Sequence, residues 1–169
     1  MATSPRDTYI TGLVNAHALE EQAVSLLSRQ AERLESYPEM LQQIQLHIEE
    51  SRRQATRLEE ILQNLGTSHS TLKDLATKFT GNMAALAHTV APDEVLKNTF
   101  ANFAFEHFEI ASYRSLLTMA DLAGDNVSPK LLQESLNEEI RMAKWIEDNL
   151  DATTRKYVQL SAAGQQAGV

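Results

Sequence analysis

Four glutamates lie in or beside apolar stripes that recur with the period of an α-helix. Glu20 and Glu50 lie 30 residues apart, Glu109 and Glu139 have the same separation, and the second pair follows the first by 89 residues. At alternating steps of three and four, the first stripe reads Leu13, Ala16, Glu20, Ala23 and Leu27, and the last reads Leu132, Leu136, Glu139, Ala143, Ile146 and Leu150. Because such stripes face the interior of a helical protein, the chain has to fold with carboxylates in or beside its core.

Proline, glycine and serine residues divide the chain into four long helical segments. They run from about residue 6 to 36, from 38 to 65, from about 92 to 124 and from 129 to about 150. Pro38 and Pro129 suit the first turn of a helix, while Gly66 and Gly124 suit the position just after its end. The connection between the second and third segments, residues 67–91, contains a moderately apolar stretch that predicts a short crossing helix.

This division predicts an all-α fold within a single domain, residues 1–169. Two helical hairpins joined by a long crossover connection are typical of the ferritin-like four-helix bundle. We expect its core at about residues 6–150. Residues 151–162 predict a short, separate C-terminal helix, and the small and polar residues 163–169 predict a disordered tail.

Composition limits the chemistry and the partners. The chain has no cysteine, so only oxygen and imidazole groups remain as metal ligands. A net charge of −8 argues against nucleic-acid binding, since phosphate contacts require a basic face. The one dense basic cluster, Arg52, Arg53 and Arg57, alternates with acidic residues as on a solvated, ion-paired helix face. Without a signal peptide or an apolar run long enough to span a membrane, the chain is expected to be soluble and cytoplasmic.

The spacing predicts a metal site at mid-bundle. Each hairpin brings its two glutamates to nearly the same height, because they lie at similar distances from the turn. Several buried carboxylates repel one another unless a cation balances them, and two divalent ions would balance four, with iron or manganese best suited to oxygen ligands. Helical spacing adds two further candidate ligands: His47, one turn before Glu50, and Glu106, one turn before Glu109. The predicted metal ligands are Glu20, His47, Glu50, Glu106, Glu109 and Glu139.

The alternative is a metal-free polar core in which arginine, glutamine and tyrosine side chains hold the glutamates. A single buried glutamate or histidine is more often explained in this way, whereas four with equal spacing favour the metal site. Among neighbouring residues, Gln54 is expected to orient Glu50 and His17 to donate near Glu20. Glu21 and Glu138 are expected at the surface, rotated by about 100° from the adjacent inward glutamates. The other histidines are expected to lie away from the site: His69, His88 and His107.

Five strings resemble the YciE/YciF-type branch of the ferritin-like superfamily. They are AHALEEQA at 16–23, HIEESRRQATRLEEIL at 47–62, DEVLKN at 93–98, FEHFEIASYRSL at 105–116 and LNEEIRMAKWI at 136–146. The resemblance implies a ferritin-like bundle, a carboxylate-rich centre and a homodimer. Ferritin-like bundles carry Glu-x-x-His on two helices. This chain has Arg53 and Met142 where those histidines would stand.

The resemblance and the spacing together predict a stress-related dimetal-carboxylate protein that oxidises Fe(II) or consumes peroxide. A structural or interaction protein is the alternative, and a subunit of an iron-storing cage is a weaker third, because the outer helix faces are ordinarily polar. Apolar residues outside the stripes are expected to form the dimer contact: Phe100, Phe105, Phe108 and Leu116.

Overall fold

Four α-helices form the bundle in a computed structural model that describes residues 4–67 and 93–169. They are α1 (Pro5–Ala31), α2 (Pro38–Asn64), α3 (Glu94–Ala123) and α4 (Pro129–Ala162). The two described ranges contain no β-strand. The predicted all-α bundle of two helical hairpins is therefore confirmed. The predicted crossing helix, His69 and His88 lie outside the described residues.

Local sequence signals explain where the helices begin and end. Ser4 forms a capping box with Asp7 and precedes Pro5, and proline also opens α2 and α4. Gly124 ends α3 with a φ of 73°, a conformation that suits a residue without a side chain. The first helix ends at Ala31 rather than near Ser36, because the chain needs residues 32–37 to reverse direction before Pro38.

Contacts between helix ends fix the topology. At one end of the bundle the hydroxyl of Tyr9 donates to Asp125, and at the other Arg33 binds Glu94 through two hydrogen bonds of 2.8 and 2.7 Å. The first and third helices therefore run antiparallel. Thr67 and Asp93 accordingly lie at opposite ends, as a bundle with one long crossover requires. In cross-section α1 packs on α2 and α3, and α4 packs on the same two helices.

Apolar packing is concentrated in two clusters. One joins the start of α1 to the α3–α4 turn, with Tyr9, Leu13, Leu58, Ile61 and Tyr113 fully buried. The other joins the α1–α2 turn to the second half of α4. Its buried members include Leu27, Tyr37, Ile44, Met142 and Ile146. A buried polar layer lies between the two clusters, so apolar contacts hold the helices on both sides of it.

The C-terminal part differs from the prediction. Residues 151–162 continue α4 without a break, because this stretch has no proline or glycine and its Tyr157 and Leu160 extend the apolar contact with the second cluster. The expectation of a disordered tail is wrong as well. Tyr37 donates to the carbonyl of Ala167 at 2.7 Å, and the backbone N–H of Val95 donates to Gly168 at 2.8 Å. None of the described helices is long and apolar enough to cross a membrane.

Candidate metal centre

Four buried side chains from three helices converge in the polar layer. His47 comes from α2, Glu106 and Glu109 from α3 and Glu139 from α4, and each residue is at most 2% exposed. Each offers one ligand atom, and these four atoms all lie within 4.8 Å of one another. Glu106 and Glu109 share a face because they are one helical turn apart. The group has the size of a metal-binding site.

The imidazole of His47 is oriented as a ligand would be. Its Nδ1 lies 3.2 Å from Oε2 of Glu50, and its Nε2 lies 3.1 Å from Oε2 of Glu106 and 3.6 Å from Oε2 of Glu139. The two inner contacts lack the alignment of a hydrogen bond, which leaves Nε2 without a partner. Metal-binding histidines commonly donate one ring N–H to a carboxylate and turn the other nitrogen to the ion. His47 and Glu50 have this arrangement.

Several buried carboxylate oxygens have no hydrogen-bond partner. They are both oxygens of Glu109 and one Oε2 each of Glu20, Glu106 and Glu139. Over residues 4–67 and 93–169, no arginine or lysine forms an ion pair with any of these four glutamates, and His47, beside Glu106 and Glu139, is the one basic side chain within ion-pair distance of them. Buried polar atoms are normally satisfied, and buried carboxylates normally have a counter-charge. The unsatisfied oxygens and the free imidazole nitrogen therefore fit divalent cations as missing partners.

The other two predicted ligands lie beside this group. Glu20 is 1% exposed, and its Oε1 accepts a hydrogen bond of 2.6 Å from the buried Tyr113 hydroxyl. Glu50 is turned away from the centre, with one oxygen on His47 and the other 3.2 Å from the guanidinium of Arg141. Of the four glutamates with the repeated spacing, the structure therefore brings together Glu109 and Glu139. It joins to them His47 and Glu106, the two residues that were predicted as additional ligands.

Two neighbouring residues have other roles than the sequence indicated. Gln54 contacts Glu138 and Glu139 rather than Glu50, donating at 3.0 Å to Oε2 of Glu138 and more closely to Oε1 of Glu139. Glu138 is 5% exposed, so its assignment to the surface is wrong. Its burial is possible because Arg57 binds it through hydrogen bonds of 2.6 and 3.0 Å. The sequence signal for the burial of Glu138 was Arg57, which follows the inward Gln54 by three residues.

This arrangement distinguishes the adjacent glutamates of α4. Glu138 is neutralised by Arg57, whereas Oε1 of Glu139 accepts from the neutral amide of Gln54 and its Oε2, 3.6 Å from Nε2 of His47, has no hydrogen-bond partner. Holding one oxygen while leaving the other unpaired aims a carboxylate at an ion. Gln54 is thus a positioning residue for Glu139, a role that its stripe position alone did not indicate.

The remaining neighbours lie away from the centre. His17 pairs with Glu59 at 3.0 Å instead of donating to Glu20, because α1 and α2 pack together at that height. Glu21 is exposed, as expected. His107 is also exposed, and its ring meets Phe103 edge to face at 4.6 Å between centroids.

The electrostatics of the centre favour protons in the absence of cations. Burial raises the pKa of Glu20 to about 8, and repulsion from Glu106 adds to this effect. Burial and repulsion between neighbouring carboxylates likewise raise the pKa values of Glu109 and Glu139 well above their usual range. Burial by itself would lower the pKa of His47, but the carboxylates around it outweigh burial and raise the pKa.

Comparison with known proteins identifies the family. The family described as "Domain of unknown function (DUF892)" matches residues 4–159. The chain belongs to this family. As a DUF892 protein it is 29% identical over 144 residues to Protein YciF of Escherichia coli, covering 79% of this chain and 82% of that one. This confirms the resemblance to the YciE/YciF type.

Solved structures of similar proteins share the fold. A protein from Xanthomonas campestris pv. campestris matches with a TM-score of 0.79 and 28% identity, over 94% of this chain and 99% of that one. The E. coli stress protein YciF matches with a TM-score of 0.72 and 24% identity, over 92% of this chain and 99% of that one. The DUF892 chain therefore has the helical architecture of its relatives.

We expect the metal-free protein to be less stable at pH 8 than at pH 6. Glu20 binds its proton more tightly in the folded protein, with a pKa of about 8, than at its ordinary value of 4.5. The stability that this proton contributes is complete below pH 4.5 and is lost as the pH rises through 8, and the raised pKa of His47 acts in the same direction. Each such proton changes the free energy of unfolding by up to about 1.4 kcal/mol per pH unit. Thermal denaturation in a chelating buffer measures the effect, and Glu20→Gln should reduce it. Equal melting temperatures at both pH values would contradict the prediction.

Removing Arg57 should destabilise the bundle through Glu138. An Arg57→Met substitution leaves a buried carboxylate without its counter-charge, which costs about 3–5 kcal/mol of unfolding free energy. Glu138→Gln in the same chain should restore most of it. The matched control is Arg52→Met, which removes a pair between groups that are 55% and 57% exposed and should cost under about 1 kcal/mol. Chemical denaturation compares the variants, and an equal loss in both single variants would show that Glu138 does not depend on Arg57.

Proposed function

We propose that this protein binds two divalent metal ions, iron or manganese, and uses them in redox chemistry with peroxide. The observation that supports this most strongly is the set of buried carboxylate oxygens without partners around a free imidazole nitrogen. Two divalent ions would balance the charges of Glu20, Glu106, Glu109 and Glu139. Oxygen and imidazole ligands in this proportion suit manganese and iron.

The ligand roles follow from which atoms are free. Nε2 of His47 and the unpaired oxygens of Glu106, Glu109 and Glu139 would hold the ions, and Oε2 of Glu20 lies free beside them. Both oxygens of Glu109 are unpaired, so this residue could offer both of them as metal ligands. Glu50 orients the imidazole as it stands and becomes a ligand only if its side chain rotates.

A bound pair of redox-active ions would exchange two electrons with peroxide, converting two H₂O₂ into two H₂O and O₂. The chain's own contribution is to exclude bulk water and to manage protons. Tyr113 fixes Oε1 of Glu20, so a proton on this carboxyl group resides on Oε2. In the metal-free protein, burial raises the pKa of this carboxyl group to about 8, and bound cations would lower the pKa and release the proton. Oxidation of Fe(II) by O₂ or peroxide, with the iron held by the same ligands, is the other reaction that this centre would support.

The biological setting that we propose is stress protection in the cytoplasm. The relative in E. coli is described as a stress protein, and a centre that consumes peroxide would serve such a role. The competing function is a metal-free structural or interaction bundle. It is favoured by the protein groups that already hold three glutamates, namely Tyr113 on Glu20, Gln54 on Glu139 and Arg57 on Glu138.

Metal binding should stabilise the folded protein. We expect Mn(II) to bind at two ions per chain and each ion to add about 2.7 kcal/mol of unfolding free energy at a hundredfold excess over its dissociation constant. Because bound ions replace the protons, Mn(II) should also remove most of the stability difference between pH 6 and pH 8. Equilibrium dialysis with metal analysis and thermal denaturation measure these effects.

Two variants separate the site from general charge effects. Glu109→Gln should abolish binding of the second ion and most of the stabilisation by metal. Glu21→Gln removes the same charge from an exposed residue and should behave like the parent chain. Oxygen evolution from peroxide by the manganese-loaded and iron-loaded protein tests the reaction. If Mn(II) leaves the melting temperature unchanged, the metal-free bundle becomes the better account.

We also propose that the protein is a homodimer, as its family resemblance implies. Phe100 and Phe108 are 53% and 48% exposed, two turns apart on α3, and Phe108 borders a groove of about 340 Å³ between α1 and α3. Phe105 and Leu116 are only 6% and 2% exposed and pack mainly within the chain, although Leu116 also lines this groove. Large exposed aromatic side chains are typical of protein contact surfaces.

A charge on this surface should separate the two copies. We expect Phe108→Asp to give a monomer by sedimentation velocity at micromolar concentration, while the parent chain sediments as a dimer. Val158→Asp, at a residue that is 57% exposed on α4, is the matched control and should leave the dimer intact. A monomeric parent chain would contradict the proposal.

A further inference from the structure

Of the described carboxylates in and beside the candidate centre, Glu50 is the most exposed to solvent. His47, Glu106 and Glu139 have side chains that are 1%, 2% and 0% exposed, whereas the side chain of Glu50 is 19% exposed. Glu50 lies on α2, beside α4. Its carboxylate contacts His47, which is itself a candidate metal ligand. Among the described residues around the centre, it is therefore the carboxylate that an ion from solution would meet first.

The seam between α2 and α4 is suited to passage. The backbones of α2 and α4 approach each other less closely than those of the other three helix contacts, and long polar side chains also bridge this seam. Gln43 reaches Met142, Glu50 reaches Arg141 and Arg57 reaches Glu138. A bridge of this kind can open by rotation of side chains, which is fast and leaves the helices in place.

Arg141 contacts Glu50 from the surface. Its guanidinium lies 3.2 Å from Oε1 of Glu50 and its side chain is 61% exposed, while Oε2 of Glu50 lies 3.2 Å from His47. The same carboxylate thus links a cation at the surface to an imidazole in the core. In this position Arg141 occupies the outer oxygen of Glu50 and places a positive charge where a cation would approach.

We propose that Glu50 and Arg141 form the mouth through which divalent cations reach the centre, with Arg141 as a positioning residue that acts through Glu50. This inference rests on the proposed metal binding and concerns how fast it occurs. An arriving cation displaces the guanidinium from Glu50, and Glu50 then transfers it to the unpaired oxygens of Glu106, Glu109 and Glu139. Arg141 therefore slows both uptake and release.

The test measures the rate of metal uptake in the full chain. Co(II) serves as the probe, and quenching of Trp145, the one tryptophan of the chain, reports its arrival in a stopped-flow instrument. This indole lies six residues after Glu139 on α4, about 9 Å along the helix axis. Arg141→Gln should raise the association rate about fivefold at low ionic strength, because local charge changes association rates by tenfold or more, and the gain should shrink as salt screens the charge. Release should accelerate in proportion, leaving the dissociation constant within about twofold of the parent value.

Three further variants make the result specific. Glu50→Gln should slow uptake about tenfold by removing the first carboxylate. Arg141→Lys keeps the positive charge and should restore most of the slow uptake. Lys144→Gln is the matched control, because Lys144 is 68% exposed on the same helix but pairs with Asp148 rather than with Glu50, and its loss should leave the rate unchanged.

The outcomes distinguish this inference from the proposed function. If equilibrium dialysis shows that the parent chain binds no Co(II), both fail. If Co(II) binds but Arg141→Gln leaves the uptake rate unchanged, or changes it no more than Lys144→Gln does, the mouth at Glu50 and Arg141 is wrong and the metal site stands. Faster uptake in Arg141→Gln that does not depend on ionic strength would also overturn the role given to its charge.

Discussion

The structure depends on how four carboxylates and one imidazole are kept in the interior of a small helical bundle. Removing an ionised carboxylate from water costs several kcal/mol, and neighbouring carboxylates add repulsion to that cost. Apolar packing above and below the polar layer outweighs this penalty by holding the helices together at both ends. The centre can therefore keep unsatisfied oxygens without the bundle opening, which is the condition for a site that stands ready for cations.

Three side chains of α2 determine how the glutamates that face this helix are paired. Arg57 neutralises Glu138, the amide of Gln54 holds one oxygen of Glu139, and His47 directs its ring between the inner carboxylates. Adjacent glutamates on one helix thereby acquire different roles, one structural and one suited to bind an ion. The division depends on charge, since an arginine cancels a carboxylate whereas a glutamine only orients it.

Periodicity predicted the helices and the burial of Glu20, Glu106, Glu109 and Glu139, because a residue's place on its own helix decides which face it occupies. It did not predict Glu138 or Glu50, since the burial of a charged side chain depends on a partner from another helix. Glu138 enters the core because Arg57 crosses from α2, and Glu50 turns outward because Arg141 crosses from α4. The tail at 163–169 was misjudged for the same reason: its composition is typical of disorder, but its hydrogen bonds come from the α1–α2 turn and the start of α3.

The contacts of that tail bear on how the protein is made. Residues 166–169 follow all four helices in the chain, yet they bind Ser36 and Tyr37 at the first hairpin's turn and Val95 at the start of the second hairpin. During synthesis from the N-terminus, the first hairpin emerges with this end uncovered and stays so until the last helix has left the ribosome. The turn at residues 32–37 is therefore exposed to chaperones and proteases throughout translation and is covered last.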